Sequence, residues 1–426
     1  MTTILLRLTD LLGTPLALWK IALPLVLLAT LGASLYYRDY RNTEKLQYPS
    51  LARWQYAVIA LFVALLCCRY ATIFEEILLR PLFPWDAWMN WAPKAIVWDH
   101  YREMVPFADQ ATWLAAPADA TTYIEGAKNA WRYPVGVPLI QLWHMLAQGT
   151  ADSTLIYLSW GLAALASGLL IFGHLRLALV HIVACLVACY AFLSLPFVNV
   201  HAALAGYADL WVTLVYGAAV LSLYQFARSG HVQWAILTLI YSIFCIQLKM
   251  PGLILATITI SMLAISSVKL SPKALIWMLG ASAALMVLLA AIRPDVNIPG
   301  IGRLALANGE IILPYIGRHE LLFHNVTPAL METLFEMINW HLLWYLAIPI
   351  IVVGAYKNRS DIPLFYLALT LLATLGFIVS VYYFTNRYEF ALDYTQVNRA
   401  LIYATIPMVF IVGLILGKPS PKTNET

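Results

Sequence analysis

The chain has 426 residues, of which 62% are hydrophobic and only 11% charged, with a net charge of +4 and a mean hydropathy of +0.76. Soluble domains carry about 25% charged residues, so the composition excludes an ordinary soluble protein and points to a bilayer. No dense Lys/Arg cluster is present, which argues against nucleic acid as a partner.

The chain begins with a short amphipathic lead-in over residues 1–14, carrying Arg7 and Asp10. The first apolar stretch has no small-residue cleavage site after a short apolar run, so no cleavable secretory signal is expected. Apolar spans are expected at about residues 15–37, 54–74, 153–175, 177–197, 209–227, 232–248, 252–268, 273–292, 340–356, 362–384 and 400–417. Residues 135–148 are too short for a crossing and are bracketed by Pro134, Pro138 and Gly149, which reads as a re-entrant or interfacial helix. Thr327-Pro328 is expected to cap a surface helix, with Leu330, Leu334 and Met337 on its apolar face.

The fold class is therefore an all-α polytopic membrane protein, a single domain over 1–426 with about 11 transmembrane helices. Two long loops, 77–134 and 293–339, carry interfacial helices. Arg38, Arg41, Lys45, Arg53, Arg176, Arg228, Lys269, Lys273, Lys357, Arg359, Lys418 and Lys422 fall on one side, which should be the cytoplasm. Both long loops then face outward, and an odd span count places the first residues outside as well. Cys67, Cys68, Cys185, Cys189 and Cys245 all lie in apolar stretches, so no disulfide framework is expected.

Polar chemistry collects at the outer ends of these spans. Pro84-Trp85-Asp86-Ala87-Trp88-Met89-Asn90-Trp91-Ala92-Pro93-Lys94 sets a carboxylate, an amide and an ammonium group among three tryptophans. On a helix starting at Asp86, the residues Asp86, Asn90 and Lys94 share one face, while Trp88, Trp91 and Trp98 share another. Glu125, Lys128, Arg132 and Tyr133 close the same loop. Asp209 opens a span, Lys249 ends one at a Pro-Gly break, and Arg387, Glu389, Asp393 and Arg399 precede the last. Single charges at span ends commonly snorkel, but two or more acids and three bases on one side favour a site.

Lys94, Lys249, Arg387 and Arg399 suit a lipid phosphate, and Asp86 suits a general base. That combination suits the transfer of a group such as a sugar from a lipid phosphate to an acceptor outside. No metal is required, although Asp86 with Asp209 or Glu125 could hold a divalent ion.

Five stretches resemble the polytopic GT-C glycosyltransferases that use polyprenyl-phosphate sugars, in particular the bacterial protein O-mannosyltransferase and aminoarabinose-transferase group. Phe83-Pro84-Trp85-Asp86 matches their carboxylate in the first external loop. Arg132-Tyr133-Pro134-Val135-Gly136-Val137-Pro138-Leu139 is similar to their (H/Y)-P-x-x-P-L segment, and Gly206-Tyr207-Ala208-Asp209 to their G-Y-A-D stretch. Gln247-Leu248-Lys249 resembles a K-x-E-G-L turn, and Asn398-Arg399-Ala400-Leu401 the start of a late span.

The resemblance implies Asp86 as catalytic base and Asp209 as a second site acid. It implies Lys249 and Arg399 near the carrier phosphate, with Tyr133 in the substrate-binding segment; Lys94 and Arg387 are added from charge and position. The implied partners are a polyprenyl-phosphate sugar lipid and an extracytoplasmic glycan, lipid or protein acceptor. The implied location is a bacterial inner membrane, with the site facing the exterior. Ala87 follows Asp86 where the family has an acidic pair, which leaves metal dependence open, and Met250-Pro251 replaces a polar-acidic pair.

Two further readings stay open. An O-antigen ligase or polymerase would use Arg303, Arg318, His319 and His324 in the second loop. A transporter or lipid flippase would need ionisable groups in mid-span.

Overall fold

A computed structural model describes residues 1–42, 51–127, 129–268, 280, 284, 288, 291–298, 302–307, 309–314 and 317–417. The chain is mostly helical. Among the described residues, six helices are long and apolar enough to cross a membrane: Leu18–Leu35, Arg53–Leu79, Thr154–Leu177, Asp209–Ser229, Ile362–Phe384 and Val397–Gly417. Ile182–Leu193 and Pro196–Ala203 make a seventh if the pair, bent by 61°, counts as one span. Helices Val232–Ile246, Pro251–Ser267 and Leu343–Lys357 occupy three more expected spans but are shorter than the ~20 residues a full crossing takes. The expected span at 273–292 lies largely outside the described residues, as do Lys45, Lys128, Lys269, Lys418 and Lys422.

The chain divides into two compact units. The first comprises Met1–Ala166, Asn199–Trp211 and Gln247–Lys249. Its helices are α1 (Thr2–Leu11), α2 (Leu18–Asn42), α3 (Arg53–Leu79), α4 (Ala92–Tyr101), α5 (Gln110–Ala115) and α6 (Gly136–Gln148), followed by the first turns of α7 (Leu158–Leu177). The stretch expected to be a re-entrant or interfacial helix, α6, is deeply buried in this unit. Val137, Leu139 and Leu142 are fully buried, and α1 and α4 pack on it. Its 13 residues reach only ~20 Å, too short to span.

The second unit comprises Ser167–Val198, Val212–Ile246 and Met250–Thr426. It holds α8 (Ile182–Leu193), the start of α9 (Pro196–Ala203), most of α10 (Asp209–Ser229), α11 (Val232–Ile246) and α12 (Pro251–Ser267). Helices Leu343–Lys357, Ile362–Phe384 and Val397–Gly417 complete it. Small residues let these helices approach closely, as Gly217 does to Ile406 and Gly354 to Ile415. Buried hydroxyls pair between helices: Ser242 with Thr259 at 2.7 Å, and Tyr216 with Thr374.

The second long loop contains a small sheet that the sequence pattern did not signal. Asp295–Ile298, Gly302–Ala307, Glu310–Leu313 and Gly317–Glu320 form an antiparallel meander in chain order, β1 to β4. Ala307 pairs with Glu310 between β2 and β3, and Gly309, just before β3, has φ +75°, the left-handed region that glycine favours. Arg303 grips Asp295 with both arms of its guanidinium, at 2.9 and 2.6 Å, and Arg318 bonds Glu310. The expected cap at Thr327 is also shifted. Thr327 is the first helical residue, and Asn325 Oδ1 accepts its N–H at 3.2 Å. The helix then widens into a π-turn over Glu332–Glu336, which breaks the expected face of Leu330, Leu334 and Met337.

Candidate functional site

The segment carrying Asp86 is helical, but not a straight α-helix. The N–H groups of Ala87 and Trp88 both donate to Pro84 O, and Ala87–Trp91 forms a π-turn closed by Ala92 N–H on Ala87 O. The cause is Pro93. Proline has no N–H and crowds the carbonyl four residues back, and wider bonding relieves both problems. One extra residue in the turn rotates the succeeding helix by ~100°, so the expected face of Asp86, Asn90 and Lys94 does not form. Asp86 is half-buried, whereas Asn90 and Lys94 point into the protein. The tryptophan face is broken too: Trp88 is exposed, Trp91 and Trp98 are buried.

Lys94 is 2% exposed. Its Nζ donates to Glu125 Oε2 at 2.7 Å and to Ala130 O at 2.8 Å, and lies 5.7 Å from the Phe107 ring centre. Burial pulls the Lys94 ammonium below its ordinary pKa and pushes the Glu125 carboxyl above its own, each against the attraction of the other. Lys94 therefore ties the returning arm of the first loop to α4. Lys94, expected from its charge to meet a lipid phosphate, is here enclosed and bonded to Glu125 and Ala130.

Two other stretches pack on the same segment, and a third joins them. Trp91 packs its ring 5.4 Å from that of Tyr133. Three residues on, Gly136 donates its N–H to Gln247 O at 2.7 Å, and a Cβ there would stand 2.3 Å from that oxygen. Arg7 reaches from α1 to Gln247 Oε1 at 2.7 Å. Gly206, with φ +117°, lies against the π-turn, where a Cβ would meet Ala87 Cβ at 2.5 Å. Trp160 fixes the next residue by donating its indole N–H to Tyr207 O at 2.7 Å. Asp209, fully buried in the first turn of α10, accepts from Lys249 Nζ at 2.7 Å. Lys249 keeps 20% of its side chain exposed. The position of Asp209 is favourable twice over, beside a cation and at a helix N-terminus.

The chemistry of this cluster comes from exposure. Asp209 is enclosed and ion-paired, and its carboxylate holds the Lys249 ammonium in place. Lys249, held by Asp209, keeps a partly exposed positive charge. Asp86 adjoins the Ala87–Gly206 contact and is the accessible carboxylate of the segment. A shallow surface depression lies beside Pro84, lined by Ile77, Arg80, Leu82, Tyr157, Ala203 and Leu204.

Comparison with known protein families, curated proteins and solved structures finds no match to this chain.

Among the described residues, no three His, Cys, Asp or Glu side chains converge as a metal-binding group. Arg387 and Arg399 belong to the second unit. Arg387 is exposed, with its guanidinium 5.5 Å from the Phe390 ring, near His324 stacked on Tyr388 at 3.7 Å. Arg399 is half-buried, next to Asn398, which accepts from Asn339 at 3.0 Å. Sequence reasoning passed over Arg7, Trp160 and the tight glycines Gly136 and Gly206. The two glycines sat inside motifs already singled out, but Arg7 and Trp160 carried no local signal.

Proposed function

We propose that the chain is a membrane glycosyltransferase that moves a sugar from a polyprenyl-phosphate carrier to an acceptor on the extracytoplasmic side. In this reading it has the GT-C-like plan of about 11 spans, with loops 77–134 and 293–339 outside, in a bacterial inner membrane. The acceptor hydroxyl oxygen attacks the anomeric carbon, the bond from that carbon to the phosphate oxygen breaks, and the hydroxyl proton passes to Asp86. Lys249, held by Asp209, stabilises the charge left on the phosphate. Tyr133 lines the approach from its place against Trp91. Inversion at the sugar carbon needs only this one base and a stabilised leaving group.

One observation carries the reading. Four stretches that resemble the family, separated by up to about 160 residues, meet in one unit through Gly206 on Ala87, Tyr133 on Trp91, Gly136 on Gln247 and Asp209 on Lys249.

The test is transfer by the purified full-length chain in vesicles, with polyprenyl-phosphate mannose and polyprenyl-phosphate aminoarabinose as donors. Turnover with either, lost in Asp86→Asn, supports the reading. Substantial turnover in a folded Asp86→Asn removes Asp86 as base. The ligase reading is weaker, because Arg303 and Arg318 are spent on cross-strand bonds to Asp295 and Glu310. The transporter reading is weaker because the Asp209–Lys249 pair stands at helix ends rather than mid-span.

A further inference from the structure

Helix α1 is inverted relative to a helix on a soluble surface. It buries Thr3, Leu6 and Thr9, and exposes Met1, Ile4, Leu8, Leu11 and Leu12 by 49–80%. These five recur at helical spacing and form one apolar stripe. The opposite side is bolted to the first unit. Arg7 bonds Gln247, Asp10 Oδ1 accepts the Met104 N–H at 2.8 Å, and just beyond the helix Leu16 N–H donates to Arg102 O at 2.7 Å. The stripe therefore cannot turn inward.

The chain beyond the stripe identifies its occupant. Helix α2 starts at Leu18, and only 6% of its apolar window is buried, so its surface is available to lipid. Trp19, exposed, carries the Lys20 ammonium 5.8 Å from its ring centre, the residue pair that marks the water–bilayer boundary at the head of a span. A stripe joined through Trp19 to a lipid-facing helix continues a membrane surface. Lipid is also the partner that five unpaired aliphatic side chains can meet without any complementary polar group.

We propose that α1 is an interfacial membrane helix, its stripe of Ile4, Leu8, Leu11 and Leu12 set into the leaflet that borders the Asp86 and Lys249 segments. Its contacts with Gln247, Arg102 and Met104 place it on their side of the bilayer. The inference rests on the chain's membrane character and not on the transferase reading, so either can fail alone.

The experiment uses the full-length chain in vesicles of phosphatidylethanolamine and phosphatidylglycerol. A photoreactive benzoylphenylalanine replaces Leu8 or Leu11, with the same group at exposed Asp119 as the reference. The expected result is a phospholipid adduct on the 1–14 peptide, well above that at Asp119, with the chain running as a monomer. A cross-linked dimer of the chain, or an adduct yield no higher than at Asp119, overturns the proposal. A second measurement reads sidedness. In a chain whose five native cysteines are replaced by alanine, Thr14→Cys and Trp85→Cys should react with a membrane-impermeant maleimide from the same side of sealed vesicles. Reaction from opposite sides overturns the placement. If the cysteine-free chain does not fold, the photo-cross-link decides.

Discussion

Lys249 Nζ lies 2.7 Å from Asp209 Oδ1, and these two groups, 40 residues apart, hold the Gln247–Lys249 turn against the first turn of α10. The carboxylate is fully enclosed while the ammonium is partly open, so the pair is asymmetric. Removing the cation strands a buried charge, whereas removing both charges does not. Lys249→Met should destabilise the protein by about 3–5 kcal/mol. Asp209→Asn combined with Lys249→Met should recover much of that loss without recovering transfer. Thermal unfolding in detergent, read beside turnover, separates the two effects; a double variant as unstable as the single would contradict the assignment.

The Lys94–Glu125 pair predicts a pH dependence. Burial raises the folded pKa of Glu125 above its ordinary 4.5, so the folded state holds this proton more tightly than the unfolded state. The stabilisation from that proton is complete below 4.5 and is lost as pH rises through the raised folded value. Glu125→Gln, which mimics the protonated acid, should lose this term. The melting temperature of the parent relative to Glu125→Gln should therefore fall as pH is raised from 4.5 towards neutrality. A difference that stays flat across this window, or rises, would contradict the burial argument.

Gly206 predicts a steric effect. Its φ of +117° lies outside the range L side chains adopt, and a Cβ would collide with that of Ala87. Gly206→Ala should cost about 2–4 kcal/mol from backbone strain and overpacking together, and should also disturb Asp86. Gly230 has φ +71° with no heavy atom in the way. Gly230→Ala should carry only the backbone cost, about 1–2 kcal/mol, and leave transfer unchanged. Equal effects of the two substitutions on turnover would count against the Gly206–Ala87 contact as a site determinant.

Tyr133 separates packing from polar chemistry. Tyr133→Phe keeps the ring against Trp91, while Tyr133→Ala removes it and with it about 0.5–1.5 kcal/mol of aromatic pairing. The melting temperature should hold for Tyr133→Phe and drop for Tyr133→Ala. A drop of equal size in both would show the hydroxyl, not the ring, to be the anchor.

Much of this arrangement was legible in the order of residues. Hydropathy marked the apolar helices, because a bilayer demands length and apolarity that composition shows directly. The Gly206–Asp209 and Gln247–Lys249 stretches were visible as polar breaks between such helices. Other features were not. The face containing Asp86, Asn90 and Lys94 assumed 3.6 residues per turn, and Pro93 forces a wider one. The partner of Lys94 is 31 residues away, a pairing no local pattern encodes. The β1–β4 meander was overlooked although Asn308-Gly309 is a hairpin dipeptide, because strands of four to six residues give little periodic signal.

The central claim is that Asp86 takes the proton from the acceptor. Asp86→Asn removes that basicity with almost no change in size. Its rate of sugar transfer from polyprenyl-phosphate mannose or aminoarabinose in vesicles, measured beside its melting temperature, is the most direct test. The expected result is a loss of about 100- to 10,000-fold in turnover with the melting temperature unchanged. Turnover within a few-fold of the parent would contradict it.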